Sequence, residues 1–285
     1  THLRDYEQAI TEQTAALMKV HTSNFRVVGF TKEVPLPELA ALAHSRGLPV
    51  IEDLGSGNFS DFSALGLGHE PTVREVVADG VDVVTFSGDK VLGGPQAGII
   101  LGREEYIARI KKNPMNRALR IDKMTLAGLE ATLRLYLDPE LARREIPTLR
   151  MILAPADELA IRAGRLARRI RRELGDLFTV AVLPGVSRVG GGAFPERDLP
   201  TTLVTVAGDA AGIGAEALRT ALLDVDPPLV GRIENNVFCL DPRALADDEF
   251  PLVVSALEQA VRHPLSPRIA PAAPPVTPPV IPGLP

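Results

Sequence analysis

Apolar residues along this chain fall into short runs separated by stretches with helical spacing. Runs at 16–21, 49–53, 81–86 and 97–101 are bounded by Gly, Pro, Asp or Ser and read as buried strands. Between them, 37–46 places Leu39, Leu42 and Ala43 on one face, with Pro37 near its start and Gly47 after its end. Helices are also predicted over 5–16, 71–78 and 104–112. Strands alternating with helices predict βαβ units and a mostly parallel sheet. A long helix over 122–136 carries Met124, Leu126, Leu129 and Leu133. The polar stretch 138–150 is broken by Pro139 and Pro147 and predicts a domain boundary. Beyond it come a helix over 157–174, strands at 178–183 and 201–206, and a helix over 214–223. A hairpin of 229–234 and 236–240 turns at Glu234-Asn235-Asn236, and a last helix lies within 242–263. This second part reads as antiparallel strands covered by helices. The expected organisation is a large domain over 1–145, a smaller α+β domain over 146–263, and an extended, disordered tail over 264–285, where nine prolines crowd the end.

Two strands end in residues that carry chemistry. The run 49–53 ends in Asp53, before Gly55-Ser56-Gly57. The run 81–86 leads into Ser87-Gly88-Asp89-Lys90-Val91-Leu92-Gly93-Gly94. Open α/β sheets bind ligands at the carboxyl ends of their strands. Singly, Asp53 reads as a turn or cap residue, and Lys90 as a point charge for phosphate. The P-loop pattern is not met, since Asp89 and Val91 flank the lysine instead of Gly and Ser or Thr. Together they match what a pyridoxal phosphate site needs: an acid to keep the pyridine nitrogen protonated, and an amine to form a Schiff base with the aldehyde. Thr22, Ser23 and Asn24 end the strand 16–21 and, with Ser87, are further candidates for the cofactor site. A phosphate cup at a helix start is not evident before Asp53, and the chain begins at Thr1 without Met. Both features fit a fragment whose amino-terminal part is missing.

Composition narrows the classes. Apolar residues make up 45% and charged residues 24%, enough to bury a large core. The net charge of −5 gives no global signal for nucleic acid, so any such contact needs a local basic patch. One such patch is offered by Arg162, Arg165, Arg168, Arg169, Arg171 and Arg172, which read either as a solvated helix face or as a surface for RNA phosphates. The single Cys239 lies in an apolar run, reads as a packed core thiol and suits a reducing cytosol. No apolar stretch approaches membrane-helix length, and no metal-ligand spacing occurs.

Several motifs resemble the bacterial L-seryl-tRNA(Sec) selenium transferase (selenocysteine synthase) family. They are Val20-His21-Thr22-Ser23-Asn24-Phe25-Arg26-Val27-Val28-Gly29-Phe30-Thr31, Glu52-Asp53-Leu54-Gly55-Ser56-Gly57, the Ser87 to Gly98 stretch, Arg117-Ala118-Leu119-Arg120-Ile121-Asp122-Lys123-Met124-Thr125 and Val189-Gly190-Gly191-Gly192-Ala193-Phe194-Pro195. The resemblance implies a fold-type I pyridoxal phosphate transferase, α/β with a mixed, mainly parallel sheet, working in the cytoplasm as a ring-shaped homo-oligomer, a decamer in the family. It implies conversion of seryl-tRNA(Sec) to selenocysteinyl-tRNA(Sec) by β-elimination to an aminoacrylyl intermediate, then selenium addition from selenophosphate. Lys90 and Asp53 would be catalytic. Arg117 and Arg120, three apart, would lie on one helical turn and fork onto the phosphate of selenophosphate. The alternatives are another pyridoxal lyase of the superfamily, of the amino-sugar acid phosphate ammonia-lyase type, or a non-catalytic relative that only oligomerises.

Overall fold

Pairing of the apolar runs builds the first sheet. The computed structural model describes residues 1–22, 27, 29–63, 69–190 and 198–262; Ser23, Asn24, most of the glycine loop 189–195 and the Pro-rich tail lie outside these residues. The first elements are α1 (Leu3–Ala9), β1 (Leu17–Val20), α2 (Leu36–Ser45), β2 (Val50–Gly55), α3 (Val73–Ala78), β3 (Val83–Ser87), β4 (Gly98–Gly102) and α4 (Glu104–Lys112). The sheet order is β1-β2-β3-β4, with β1, β2 and β3 parallel and β4 antiparallel to β3. This is the expected mixed, mainly parallel sheet.

Strand parity decides what each face carries, because successive side chains point to opposite sides. Val50, Leu54, Val84 and Phe86 face α2 and α3, where they pack with Leu39, Ala40, Ala43, Val73 and Val76. Fully burying each such side chain contributes roughly 1.5–3 kcal/mol. The other face carries Val20, Asp53, Thr85 and Ile100 as cross-strand neighbours. The helix predicted over 5–16 stops at Ala9. Past it, the Thr14 hydroxyl accepts from the Thr11 N–H at 2.9 Å and the Thr11 hydroxyl from the Gln13 N–H at 3.3 Å, so side chains compete with the helical ladder.

After β4 come α5 (Met115–Leu119), α6 (Lys123–Leu135), α7 (Pro139–Glu145), α8 (Pro147–Ile152) and α9 (Ala156–Leu174). Contacts divide the chain into two units. One is Thr1–Ala160 with Pro184–Thr202; the other holds Ile161–Leu183 and the chain from Leu203 on. The first unit includes Ala142 of α7, Leu149 and Ile152 of α8 and Ile146 between them, which pack with Phe62 and Val91.

The chain goes on through β5 (Thr179–Arg188) and β6 (Asp198–Ala207), which the two units share, to α10 (Ala215–Asp224), β7 (Arg232–Glu234), β8 (Val237–Leu240) and α11 (Phe250–Arg262) of the second unit. The order of this second sheet is β5-β6-β8-β7, with β8 antiparallel to both neighbours. The hairpin turns at Asn235-Asn236, where φ is 49° and 60°, and Glu234 pairs with Val237. Two positive-φ residues suit the twist of a two-residue hairpin, and Asn tolerates that conformation. The last helix begins at Phe250, after 3-10 turns at Pro242–Ala244 and Asp247–Glu249; Asp241 caps the first of these through the Arg243 N–H at 3.0 Å. Ala163, Leu166, Ala167 and Ile170 of α9 form the core with Val204, Val206, Phe238 and Leu257. Cys239 is buried, as a packed thiol should be.

Candidate active site

The predicted acid lies near the carboxyl end of β2, and the predicted amine in the loop after β3. Asp53 pairs in register with Val20 on one side and Thr85 on the other, and its backbone carbonyl accepts from the His21 N–H at 2.9 Å. Thr85 Oγ1 donates to Asp53 Oδ1 at 3.0 Å, fixing the carboxylate orientation. Oδ2 has no partner among the described residues. The carboxylate stands on a sheet face flanked by Met18, Val20 and Ile100, which are 52%, 56% and 46% exposed. Past Asp53 the β2–β3 pairing shifts register, and Gly55 takes a φ of 70°. The strand thus bends away just beyond the acid.

Lys90 sits in the loop after β3, half-buried, with Asp89 exposed beside it. Buried Val91 and Leu92 anchor the loop from below. The Val91 N–H donates to Ser56 O at 3.1 Å, so the loop bearing Lys90 is tied to the loop that follows Asp53. Gly57 allows this approach: its φ is 67°, and a Cβ there would stand 2.4 Å from Ser87 O. Gly88 donates to Ala97 O and Gly94 to Gly88 O, both at 2.8 Å, and the Tyr136 hydroxyl donates to Leu92 O at 3.0 Å. Half-buried Ser87 ends β3 opposite Gly98, and Thr22 follows β1. Ser23 and Asn24 lie outside the described residues.

Arg117 and Arg120 precede α6, whose Leu129 packs with Leu92 and Ala97 of the Lys90 loop, with Ile121 against the same cluster. Asp122 caps α6, accepting from Met124 N at 2.7 Å and Thr125 N at 3.0 Å. The helix bearing Arg117 ends at Leu119. Arg120 closes it with extended backbone, φ −63° and ψ 137°, so the expected shared helical turn is cut short there. Both guanidiniums are exposed, and neither has an ion-pair partner among the described residues.

The opposite face of β2 holds a polar cluster that sequence reasoning missed. Glu52 is 2% exposed, and its Oε2 has no hydrogen-bond partner among the described residues. It pairs in register with Lys19, whose Nζ donates to Val34 O at 3.0 Å and lies 3.6 Å from Glu33. Burial pushes the Glu52 carboxyl up to about 7, against the pull of Lys19 and His21. The 3.1 Å hydrogen bond to Glu70 raises His21 above the ordinary imidazole range, against its burial. The signal in the sequence was the acid pair Glu52-Asp53. On a strand, adjacent acids must point to opposite faces, so one of them is buried.

Glu52 therefore gives folding a pH dependence of definite sign. Its folded carboxyl binds its proton more tightly than an unfolded one, whose ordinary value is 4.5. The stability this contributes is complete below that value and lost as pH rises through about 7. The difference amounts to about 3 kcal/mol at most. His21 acts in the same direction, losing its contribution above the imidazole range. Urea unfolding at about pH 5.5 and 8 should show the wild-type protein losing stability on the alkaline side, and Glu52→Gln should remove most of that loss. Equal pH slopes in the two proteins would mean that Glu52 is ionised throughout.

Comparison with known proteins places this geometry. Residues 1–246 match the family model described as L-seryl-tRNA selenium transferase. A protein of that type from Nitratidesulfovibrio vulgaris is 69% identical over 261 residues, covering 92% of this chain and 55% of the relative. Another, from Maridesulfovibrio salexigens, is 64% identical over 259 residues, covering 91% of this chain and 56% of the relative. The chain thus spans about half the length of the curated relatives it matches. Among solved structures, D-glucosaminate-6-phosphate ammonia-lyase aligns with a TM-score of 0.54 at 22% identity, covering 92% of this chain and 62% of that one. That likeness is one of fold and agrees with the fold-type I architecture expected. With a model match running through both units, the chain belongs to the L-seryl-tRNA selenium transferase family.

Proposed function

We propose that this chain is the catalytic part of a pyridoxal-phosphate-dependent transferase that converts seryl-tRNA(Sec) to selenocysteinyl-tRNA(Sec) with selenophosphate as donor. The observation that supports the reading is that Asp53 stands on a sheet face with apolar flanks while the segment after it is tied to the Lys90 loop by the Val91–Ser56 hydrogen bond. Such a face fits a planar pyridine ring: Met18, Val20 and Ile100 offer apolar surface, and Asp53 keeps one carboxylate oxygen without a partner among the described residues. When bound, pyridoxal phosphate supplies the electron sink for breaking bonds at the seryl Cα and Cβ.

The chain's own residues do the rest. Lys90 would hold the cofactor through its aldehyde and would take the proton from the seryl Cα, the Cβ hydroxyl leaving with a proton as water. Asp53, held by Thr85, keeps the proton on the ring nitrogen. Ser87 and Thr22, with Ser23 and Asn24, would line the cofactor site. Arg117 and Arg120 would hold the phosphate of the selenium donor with forked hydrogen bonds. The family's implied assembly is a cytoplasmic homo-oligomer, a decamer. The ammonia-lyase alternative has only a likeness of fold in its favour, whereas relatives at 64% and 69% identity carry the transferase name.

The donor site is where the transferase and lyase readings part, because elimination alone needs no second phosphate. Arg117→Ala and Arg120→Ala should each lower selenium transfer by about 10- to 100-fold, the loss of one charge-assisted contact. Cofactor loading and seryl-tRNA binding should stay within about twofold of wild type, inside the few tenths of a kcal/mol expected of exposed side chains. The double variant should still consume seryl-tRNA without adding selenium. Unchanged transfer would return these arginines to a solvated edge, and parallel loss of tRNA binding would make them RNA contacts.

A further inference from the structure

Helix α9 has more arginines than carboxylates to pair with them. On other helices, three arginines each pair with one acid: Arg134 with Glu130, Arg219 with Glu216, Arg262 with Glu258. On α9, Asp247 is shared between Arg162 at 2.9 Å and Arg165 at 2.7 Å. Glu173 is shared between Arg169 at 3.2 Å and Arg172 at 2.6 Å. Arg168 is exposed and has no ion-pair partner among the described residues. The Arg169 contact runs from its buried Nε and lacks hydrogen-bond geometry. Glu249, two residues past Asp247, accepts from the Ala246 N–H at 2.6 Å and so faces its own turn.

Arg165, Arg168, Arg169 and Arg172 follow the i, i+3, i+4, i+7 rule and so form one stripe, about 10 Å long at 1.5 Å per residue. They line an open depression of about 540 Å³ with Asp247 and Phe250. Buried Phe250 lies under the Arg165 guanidinium, 6.0 Å from centroid to Cζ, and steadies its plane. Five of the six lining residues are charged, and the sixth, Phe250, is buried, unlike the charge-depleted centre of a protein interface. On a chain of net charge −5, gathering cations on one stripe suits a polyanion.

We propose that the Arg165–Arg172 stripe of α9 docks the phosphate backbone of RNA, resting on the reading that transfer RNA carries the substrate. The contacts are to phosphate, so they position the RNA and carry no sequence preference.

The test measures binding of unacylated transfer RNA by the protein at several salt concentrations. Arg168→Glu/Arg172→Glu should raise Kd at least about 10-fold near 0.1 M salt and flatten the plot of log Kd against log salt by between about one and two. Arg168→Gln/Arg172→Gln should do the same to a smaller degree. Arg219→Glu/Arg262→Glu makes an equal charge change elsewhere in the unit and should leave the slope as in wild type. If wild-type protein fails to bind transfer RNA, the substrate reading falls and this inference with it. If wild type binds and the α9 variants bind equally with the same slope, the inference alone is overturned. A changed oligomer size with an unchanged slope would make the stripe a contact between copies and would also overturn it.

Discussion

Lys90→Ala should lower selenium transfer by roughly 10,000-fold, equivalent to about 5.5 kcal/mol of barrier, because one amine serves as cofactor anchor and as base. The anchoring loop does not depend on the lysine side chain. It is held by the Gly88, Val91 and Gly94 backbone hydrogen bonds and by buried Val91 and Leu92. The variant should therefore fold with unchanged circular dichroism. Borohydride reduction of the cofactor-loaded wild-type protein, followed by peptide mapping, should attach the label to Lys90. Lys90→Arg should be as inactive as Lys90→Ala, because a guanidinium keeps its proton and neither bonds the aldehyde nor acts as a base. A small exogenous amine should restore part of the proton transfer in Lys90→Ala and none of the labelling. A label on a different lysine, or near-normal turnover in Lys90→Ala, would remove Lys90 from the chemistry.

Strand ends were legible because burial and chemistry leave opposite marks on a sequence. An apolar run that stops at Asp53, and another that stops just before Lys90, show where buried backbone surfaces into a loop. Pairing register leaves no such mark. Thr85 holds Asp53 only because β2 and β3 lie side by side with those residues opposed, and the run 81–86 looks the same whatever stands beside it. The direction of β4 had a readable signal. The connection from Ser87 to Gly98 is shorter than the dozen or so residues a parallel crossover needs, so the strand must return antiparallel.

The prolines at 139 and 147, read as breaks, in fact open two helices. A proline at the first turn of a helix begins it as readily as one in the interior ends it. Asp138 caps α7, accepting from Glu140 N at 3.0 Å and Leu141 N at 3.2 Å, and Pro147 opens α8. What read as a broken linker is two short helices with a buried side. The same locality explains Arg120: spacing alone placed it on a helical turn with Arg117, but the chain leaves that turn at Leu119 so that Asp122 can start the next helix.

Asp53 separates binding from chemistry more sharply than Lys90 does. Its carboxylate should contribute little to holding the cofactor and much to what the ring does once loaded. If the ring nitrogen loses its proton, the electrons of the broken Cα–H bond have no cationic centre to flow toward. Asp53→Asn keeps the shape and the Thr85 neighbour but removes the charge. It should retain cofactor at near wild-type occupancy while slowing both elimination and transfer by roughly 1,000-fold, about 4 kcal/mol. Asp53→Ala should be at least as slow. Thr85→Val tests the orientation of the acid. The Thr85 hydroxyl donates to one oxygen of a charged group, a contact worth about 1.5–3 kcal/mol. Its loss should lower kcat about 10-fold and leave KM for seryl-tRNA unchanged, since half-buried Thr85 acts through Asp53. If Asp53→Asn lost cofactor in proportion to activity, the carboxylate would be a binding group. If Thr85→Val matched wild type, Asp53 would be held by the sheet backbone alone, through the His21 N–H and the strands on either side.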